Sequence, residues 1–141
     1  EAFEIIGNDT GILIEIKECK IEKIATFIAK YNRKNKVFIG SFNIEYVIQA
    51  RKLIPEIPAA LITGSIPDNV TELVCLGVRK LDIQFNNLNA ENVKRFMSSG
   101  FLVNAWTPDE KKHLISCTET GVQFITTNRP DRLIAILHGE Q

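Results

Sequence analysis

The stretch GFLVNAWTPDE, residues 100–110, contains the pattern that decides the fold of this chain. Gly100 is typical of the residue that follows a helix, and an apolar run of strand length comes directly after it. Thr107-Pro108-Asp109-Glu110 then predicts the start of a new helix, with a hydroxyl N-cap at Thr107, proline in the first helical position and Glu110 placed to close a capping box. The stretch therefore predicts a helix, a strand and a second helix joined by short connections.

The same alternation recurs along the whole chain. Apolar runs of strand length lie near residues 12–16, 37–42, 59–63, 78–83, 101–106 and 122–126. Most are continuously hydrophobic, which is typical of parallel strands that are covered on both faces. Apolar residues recur between them at the spacing of a helix face; Gly77, Gly100 and Gly121 each end a helix, and Pro130 opens the last one. Six consecutive βα units therefore predict an α/β fold with a parallel sheet.

Two architectures are compatible with six such units. One is an open, doubly wound sheet of the flavodoxin or receiver type, which would be complete at 141 residues. The other is a TIM-type (β/α)8 barrel, which typically needs about 250 residues and would here be incomplete, lacking about a quarter or more of its wall. A receiver needs several acidic residues at the end of its first strand, where only Glu15 stands, so the pattern favours that type least.

The beginning of the sequence indicates a domain that continues outside it. Met97 is the only methionine, and Glu1 to Gly7 has the pattern of the last turns of a helix, with Gly7 in the C-cap position. We therefore expect residues 1–141 to be a single domain whose numbering begins inside a larger domain or after processing.

Composition and charge exclude several classes of partner. The chain has 17 basic and 17 acidic residues and a pI of about 7.0, with no cluster of lysine or arginine, so no electrostatic footprint for nucleic acid or an anionic membrane is present. No apolar run approaches the roughly 18 residues of a membrane span, and no signal-peptide pattern opens the chain. The cysteines, Cys19, Cys75 and Cys117, are widely spaced and are interpreted as reduced core thiols, which favours a cytoplasmic location.

The end of the first strand carries two charges on one face. Because side chains alternate along a strand, Glu15 and Lys17 share the face opposite to Ile14 and Ile16. Burying such charges costs several kcal/mol unless they are paired or hold a ligand. Two interpretations stay open: a structural ion pair at the rim of the sheet, or a carboxylate that binds a hard cation beside a lysine that holds an anion.

The other strand ends supply hydroxyls, amides and two large aromatic rings. Ser41, Asn43, Thr107 and Asn128 are interpreted chiefly as helix caps, and Phe42 and Trp106 as core packing. A polar rim of this kind suits a small, polar, anionic ligand. His113 and His138 are not at strand ends, and neither is expected to be catalytic.

Four segments at predicted strand ends occur in order along the chain: Ile14-Glu15-Ile16-Lys17, Gly40-Ser41-Phe42-Asn43, Ala105-Trp106-Thr107-Pro108 and GVQFITTNRPD at 121–131. Together they resemble the second half of the glycerophosphodiester phosphodiesterase family. The resemblance runs from about Gly11 to Leu133. It implies that residues 1–141 are the C-terminal part of an incomplete TIM-type barrel that lacks its first strands. It also implies a hydrolase that converts a glycerophosphodiester and water to glycerol 3-phosphate and an alcohol.

The resemblance also implies roles for four residues. Glu15 matches a ligand of the divalent cation, magnesium or calcium, and Lys17 matches a lysine that holds a phosphate oxygen. Phe42 and Trp106 match residues that wall the substrate pocket. A cation and a lysine at such a site stabilise the charge that develops on phosphoryl oxygens.

Other family features have no counterpart in this sequence. The family's two catalytic histidines and two further metal ligands come from segments that precede its Ile-Glu-Ile-Lys strand, and an aspartate often occupies the place of Asn128. The divalent cation is thus expected only if the missing ligands are supplied. No catalytic residue is assigned in this chain, and the chain alone is expected to be inactive. We expect it to associate with the missing half or with a second copy. The alternative is a non-catalytic βα module that binds phosphate or a polyol.

Overall fold

The computed structural model of the chain describes residues 2–6, 10–31 and 36–139 and shows the predicted alternation of strands and helices. The elements in chain order are α1 (Ala2–Ile5), β1 (Ile12–Glu15), α2 (Ile21–Lys30), β2 (Val37–Ser41), α3 (Ile44–Leu53), β3 (Ala59–Thr63), α4 (Val70–Cys75), β4 (Lys80–Gln84), α5 (Ala90–Ser98), β5 (Leu102–Trp106), α6 (Lys111–Thr120), β6 (Phe124–Thr126) and α7 (Pro130–Leu137). A 3-10 turn, Phe85–Asn87, follows β4. All six predicted strands are confirmed, with ends that differ by up to two residues.

The order of the strands decides between the two architectures. The sheet runs β1-β2-β3-β4-β5-β6, and every neighbouring pair is parallel. A doubly wound sheet reverses its order at a switch point, and this sheet has no reversal among its described strands. The incomplete TIM-type barrel is therefore confirmed.

Side-chain contacts between distant strands show that the sheet is curled. The Lys80 ammonium on β4 lies 4.8 Å from the ring centroid of Phe38 on β2 and 5.8 Å from that of Phe124 on β6. The rings of Phe42, just after β2, and Trp106, at the end of β5, are 5.7 Å apart. A flat sheet would keep strands three positions apart at about 14 Å. The six strands thus form a half-barrel with a concave inner face.

The core lies between the outer, convex face of the sheet and the helices. Outer-face residues of the central strands are fully buried, among them Ile39, Leu81, Ile83, Val103 and Ala105. Helices α2, α3 and α5 add apolar side chains to the same cluster, namely Ile21, Ile28, Val47, Ala50 and Phe96. One continuous core therefore supports the sheet from outside and leaves its inner face for other contacts.

The helix ends predicted from glycine and the helix start predicted from proline are largely confirmed. Gly77, Gly100 and Gly121 follow helices with φ values of 77°, 83° and 82°, a conformation that costs glycine least. Pro130 occupies the first turn of α7. The predicted C-cap at Gly7 lies outside the described residues.

The helix start predicted at Thr107 is wrong. Helix α6 begins at Lys111, with Glu110 in the N-cap position and no side-chain cap. The reason lies in tertiary hydrogen bonds, because the Asp109 carboxylate, which the prediction placed inside the helix, accepts hydrogen bonds from Thr127 and Asn128 after β6. Contacts with the next strand end override the local capping signal.

The prediction that all three thiols lie in the core is also wrong. Cys117 is buried, whereas Cys19 and Cys75 are exposed, since Cys19 lies in the connection after β1 and Cys75 ends the short helix α4. All three are free thiols. Among the described residues, no helix is long and apolar enough to cross a bilayer.

Candidate functional site

The carboxyl ends of the strands meet at one mouth of the half-barrel, and β1 delivers both of its predicted site residues there. The Glu15 Oε1 and Lys17 Nζ atoms are 3.9 Å apart, and the side chains are 40% and 82% exposed, respectively. Ser41 holds this strand end in place by donating to the Ile16 carbonyl at 2.7 Å. The two charges form a loose, accessible pair. An ion pair this exposed adds little stability, so both groups stay available to a ligand.

The two predicted wall residues meet across the mouth. Phe42 and Trp106 pack edge to face at a centroid distance of 5.7 Å. The Trp106 indole Nε1 donates to the Asp82 carbonyl at 3.0 Å, which anchors the ring over β4. Asn43 accepts a hydrogen bond from the Glu45 amide and so caps α3, as predicted, which fixes the turn that carries Phe42.

The register of the sheet places these residues on its inner face, toward the carboxyl ends of their strands. Glu15 lies opposite Gly40, and Gln84 lies opposite Trp106. Lys17 and Phe42 each follow two residues later on neighbouring strands, so they continue along the same face. The structure therefore brings a carboxylate, an ammonium and two aromatic rings to one end of the half-barrel.

The described residues do not by themselves fit a resident divalent cation. No group of three or more His, Cys, Asp or Glu side chains in the described ranges is arranged to hold a metal ion. Calcium takes six to eight oxygen ligands, and magnesium takes six in a near-octahedral set. Glu15 can supply one carboxylate at the mouth, and the remaining ligands would have to come from elsewhere.

A second set of polar groups lies deeper on the inner face, and the sequence analysis did not identify it. Asp82 and Asn104 are buried, and the Asn104 side chain bonds to both the Asp82 carboxylate and the Thr126 hydroxyl. Lys80 lies one step below Asp82 on β4 and contacts the two phenylalanine rings described above. The signal was present in the sequence, because Lys80, Asp82 and Gln84 put a polar residue at every second position of an apolar strand.

Burial controls the protonation of this inner set. Loss of hydration raises the pKa of Asp82 to about 6, although Lys80 and the hydrogen bond from Asn104 lower it in part. Desolvation also lowers the pKa of Lys80. A cavity of about 270 Å³ opens beside these groups, with walls that include Leu13, Phe38, Leu102 and Phe124, and the four predicted site residues lie outside it.

The two histidines lie on or directly after helices. His113, on α6, packs against the Phe85 ring at a centroid distance of 4.8 Å. His138 follows the last helix.

Comparison with known proteins gives the same result as the four motifs. Residues 6–132 match the model of a family described as "Glycerophosphoryl diester phosphodiesterase family". A glycerophosphodiester phosphodiesterase of Caldanaerobacter subterraneus subsp. tengcongensis is 28% identical over 148 residues, which cover 97% of this chain and 60% of that protein. This chain thus spans less than two thirds of the length of that relative.

Solved structures share the fold. A glycerophosphodiester phosphodiesterase from Parabacteroides distasonis superposes with a TM-score of 0.79 at 24% identity, covering 92% of this chain and 58% of that one. A phosphodiesterase from Oleispira antarctica, solved with the product sn-glycerol-3-phosphate, superposes with a TM-score of 0.75 at 20% identity, covering 91% of this chain and 55% of that one. At these identities the likeness shows the fold alone.

Proposed function

This chain belongs to the glycerophosphoryl diester phosphodiesterase family, and on that premise we propose that it provides the phosphate-binding side of a phosphodiesterase barrel. The reaction takes a glycerophosphodiester and water to glycerol 3-phosphate and an alcohol. The observation that carries the proposal is the pair of charges at the mouth, Glu15 and Lys17, 3.9 Å apart on the inner face. The product in the Oleispira antarctica structure supports the same substrate class.

Lys17 is proposed to hold the phosphate. Its ammonium is largely exposed and lies 3.9 Å from Glu15, so it can turn to an anionic oxygen without leaving a buried charge unpaired. A fixed positive charge beside the phosphorus stabilises the negative charge that develops on its oxygens. The same lysine would also bind the product, glycerol 3-phosphate, which keeps a phosphate dianion.

Glu15 is proposed to be the one ligand that this chain contributes to a magnesium or calcium ion. A divalent cation there would draw charge from a phosphoryl oxygen. Because no group of three or more His, Cys, Asp or Glu side chains among the described residues is arranged to hold a metal ion, the other ligands and the proton-transfer groups are proposed to come from elsewhere in the complete barrel. The 141-residue chain alone is therefore proposed to be inactive.

Phe42 and Trp106 are proposed to wall the pocket on the side of the glycerol or alcohol group. Their edge-to-face contact gives a rigid apolar surface above the polar inner face. An apolar wall excludes water and thereby strengthens the electrostatic contacts that Lys17 makes.

The uncovered inner face gives the predicted association a physical reason. Its large apolar side chains, Leu13, Phe38, Phe42, Leu102 and Phe124, are 37–55% exposed. Association with the missing wall or with a second copy stays a prediction, as does the cytoplasmic location.

The experiment is an assay of the protein expressed from its complete gene, with glycerophosphocholine as substrate and magnesium or calcium added. We expect release of glycerol 3-phosphate, with a loss of at least about 100-fold in kcat/KM for Lys17→Met and Glu15→Gln. Lys52→Met is the matched control, because Lys52 lies exposed in the last turn of α3. Binding of glycerol 3-phosphate without any turnover would contradict the enzyme and favour the non-catalytic module.

A further inference from the structure

One carboxylate ties together the two loops beside Trp106. The Asp109 Oδ1 atom accepts from the Thr127 hydroxyl at 2.9 Å and from the Asn128 amide N–H at 2.8 Å. Its Oδ2 atom accepts from the Asn128 side-chain Nδ2 at 2.8 Å. Both oxygens of Asp109 are therefore engaged by two consecutive residues that follow β6. We call Asp109, Thr127 and Asn128 the loop clamp.

Two further hydrogen bonds extend the clamp into α7. The Asp109 carbonyl accepts from Arg132 Nη1 at 3.0 Å, and the Thr127 hydroxyl accepts from the Arg129 amide at 3.0 Å. The hydrogen bonds from Asn128 are the main cause that lowers the pKa of Asp109. The clamp is thus charge-assisted, which makes each bond stronger than a neutral one.

The clamp lies next to the aromatic wall. β5 ends at Trp106 and α6 begins at Lys111, so the intervening residues belong to neither element. Trp106 lies opposite Thr126 in the β5–β6 register, one residue before the clamp. Asp109 therefore ties the segment that follows Trp106 to the segment that follows Thr126, the partner of Trp106 on β6. Pro108, which lies between Trp106 and Asp109 in the sequence, is buried.

We propose that Asp109 is a positioning residue that fixes Trp106 at the mouth. It reaches no ligand itself and acts by keeping the indole on the Asp82 carbonyl and against Phe42. The inference rests on the proposed function to the extent that Trp106 walls the substrate pocket. In the complete enzyme, loss of the clamp raises KM and leaves kcat nearly unchanged.

The chemistry of the clamp predicts that its two partners can be exchanged. The carboxylate stands at 109 and the amide at 128, so an acceptor faces a donor. Asn128→Asp alone puts two carboxylates together, whereas Asp109→Asn combined with Asn128→Asp restores a carboxylate–amide pair with the roles reversed.

Trp106 gives a direct readout because it is the only tryptophan in the 141-residue chain. Its indole N–H produces a single side-chain cross-peak in a ¹H–¹⁵N correlation spectrum. For Asp109→Ala we expect a shifted cross-peak and an indole N–H exchange rate at least about tenfold faster, because the segments that follow β5 and β6 are then no longer tied together. Asn128→Asp is expected to show a change of similar size, and the double exchange to return the peak close to its original position.

Asp68→Ala is the matched control, because Asp68 is an exposed aspartate in the loop before α4. An unchanged Trp106 cross-peak in Asp109→Ala would overturn the proposal. So would a double variant, Asp109→Asn with Asn128→Asp, whose Trp106 cross-peak lies as far from its original position as it does in Asn128→Asp alone. If Asp109→Ala unfolds, as far-UV circular dichroism would show, Asp109→Asn and the double exchange decide in its place. The readout needs no substrate, so a protein without phosphodiesterase activity can still pass this test.

Discussion

The two faces of the sheet have different surroundings, although they alternate along the same short strands. On β4 and β5, Leu81 and Val103 point outward into the helices and are fully buried. Their neighbours Asp82, Leu102 and Asn104 point inward, where polar groups lie among exposed apolar ones. The outer face therefore stabilises the fold, while the side chains of the inner face remain available for contacts with ligands and partners.

The largest expected effect comes from removing the same side chain on each face. Leu81→Ala is expected to lower the free energy of unfolding by about 3 kcal/mol, because it leaves a cavity in a packed core. Leu102→Ala is expected to cost less than about 1 kcal/mol, since the Leu102 side chain is 40% exposed. Leu102 lies on β5 opposite Lys80, the residue before Leu81. Urea unfolding at pH 7 measures both. Equal losses would show that the inner face is covered in solution.

The second effect concerns the buried acid. The folded-state pKa of Asp82 is raised, so its contribution to stability is complete below about pH 4 and is lost as the pH rises through about 6. Asp82→Asn is therefore expected to stabilise the chain at pH 7, by at most about 3 kcal/mol, and to be neutral at pH 4. Urea unfolding across this range tests it, with Asp68→Asn as an exposed control. A destabilised variant at pH 7 would mean that Asp82 is held in its charged form.

A smaller effect is expected where the inner face has no side chain at all. A Cβ atom on Gly40 would lie 2.9 Å from Ile62 Cδ1 and 3.2 Å from its Cγ1. Gly40→Ala should therefore cost about 1 kcal/mol, because the Ile62 side chain must move and the strand gains little in return. Combining it with Ile62→Val should recover part of the loss in thermal unfolding. No recovery would show that the contact is not the cause.

The smallest effect is expected at the mouth itself. Glu15→Gln should change the free energy of unfolding by less than about 0.5 kcal/mol, because the Glu15–Lys17 pair is long and exposed. The same substitution is proposed to remove activity from the complete enzyme. A large loss of stability would instead support the structural ion pair that the sequence left open.

The architecture was only partly readable in advance. Apolar runs predicted the six strands, and the glycines at 77, 100 and 121 predicted the ends of three helices, because these signals are local. The choice between an open sheet and a barrel was not local. It depends on which strands pair, and both architectures repeat the same βα unit.

Residues of the candidate site were predicted only where they lie at or just after the end of a strand. Glu15, Lys17, Phe42 and Trp106 follow apolar runs, and the structure brings them to one mouth. Asp82 was missed because it lies inside a run that was interpreted as uniformly apolar. The role of Asp109 could not be predicted from spacing, since its partners are on the next strand and its neighbours favoured a helix start.

The strand order also bears on how the chain can fold. Each strand pairs only with the strands before and after it in the sequence, so every pairing closes a segment of some 20 to 25 residues. Short closures cost little chain entropy and favour fast folding. A nascent chain leaving the ribosome can therefore add one strand and one helix at a time, and each new strand can pair with the one before it as soon as it has been synthesised.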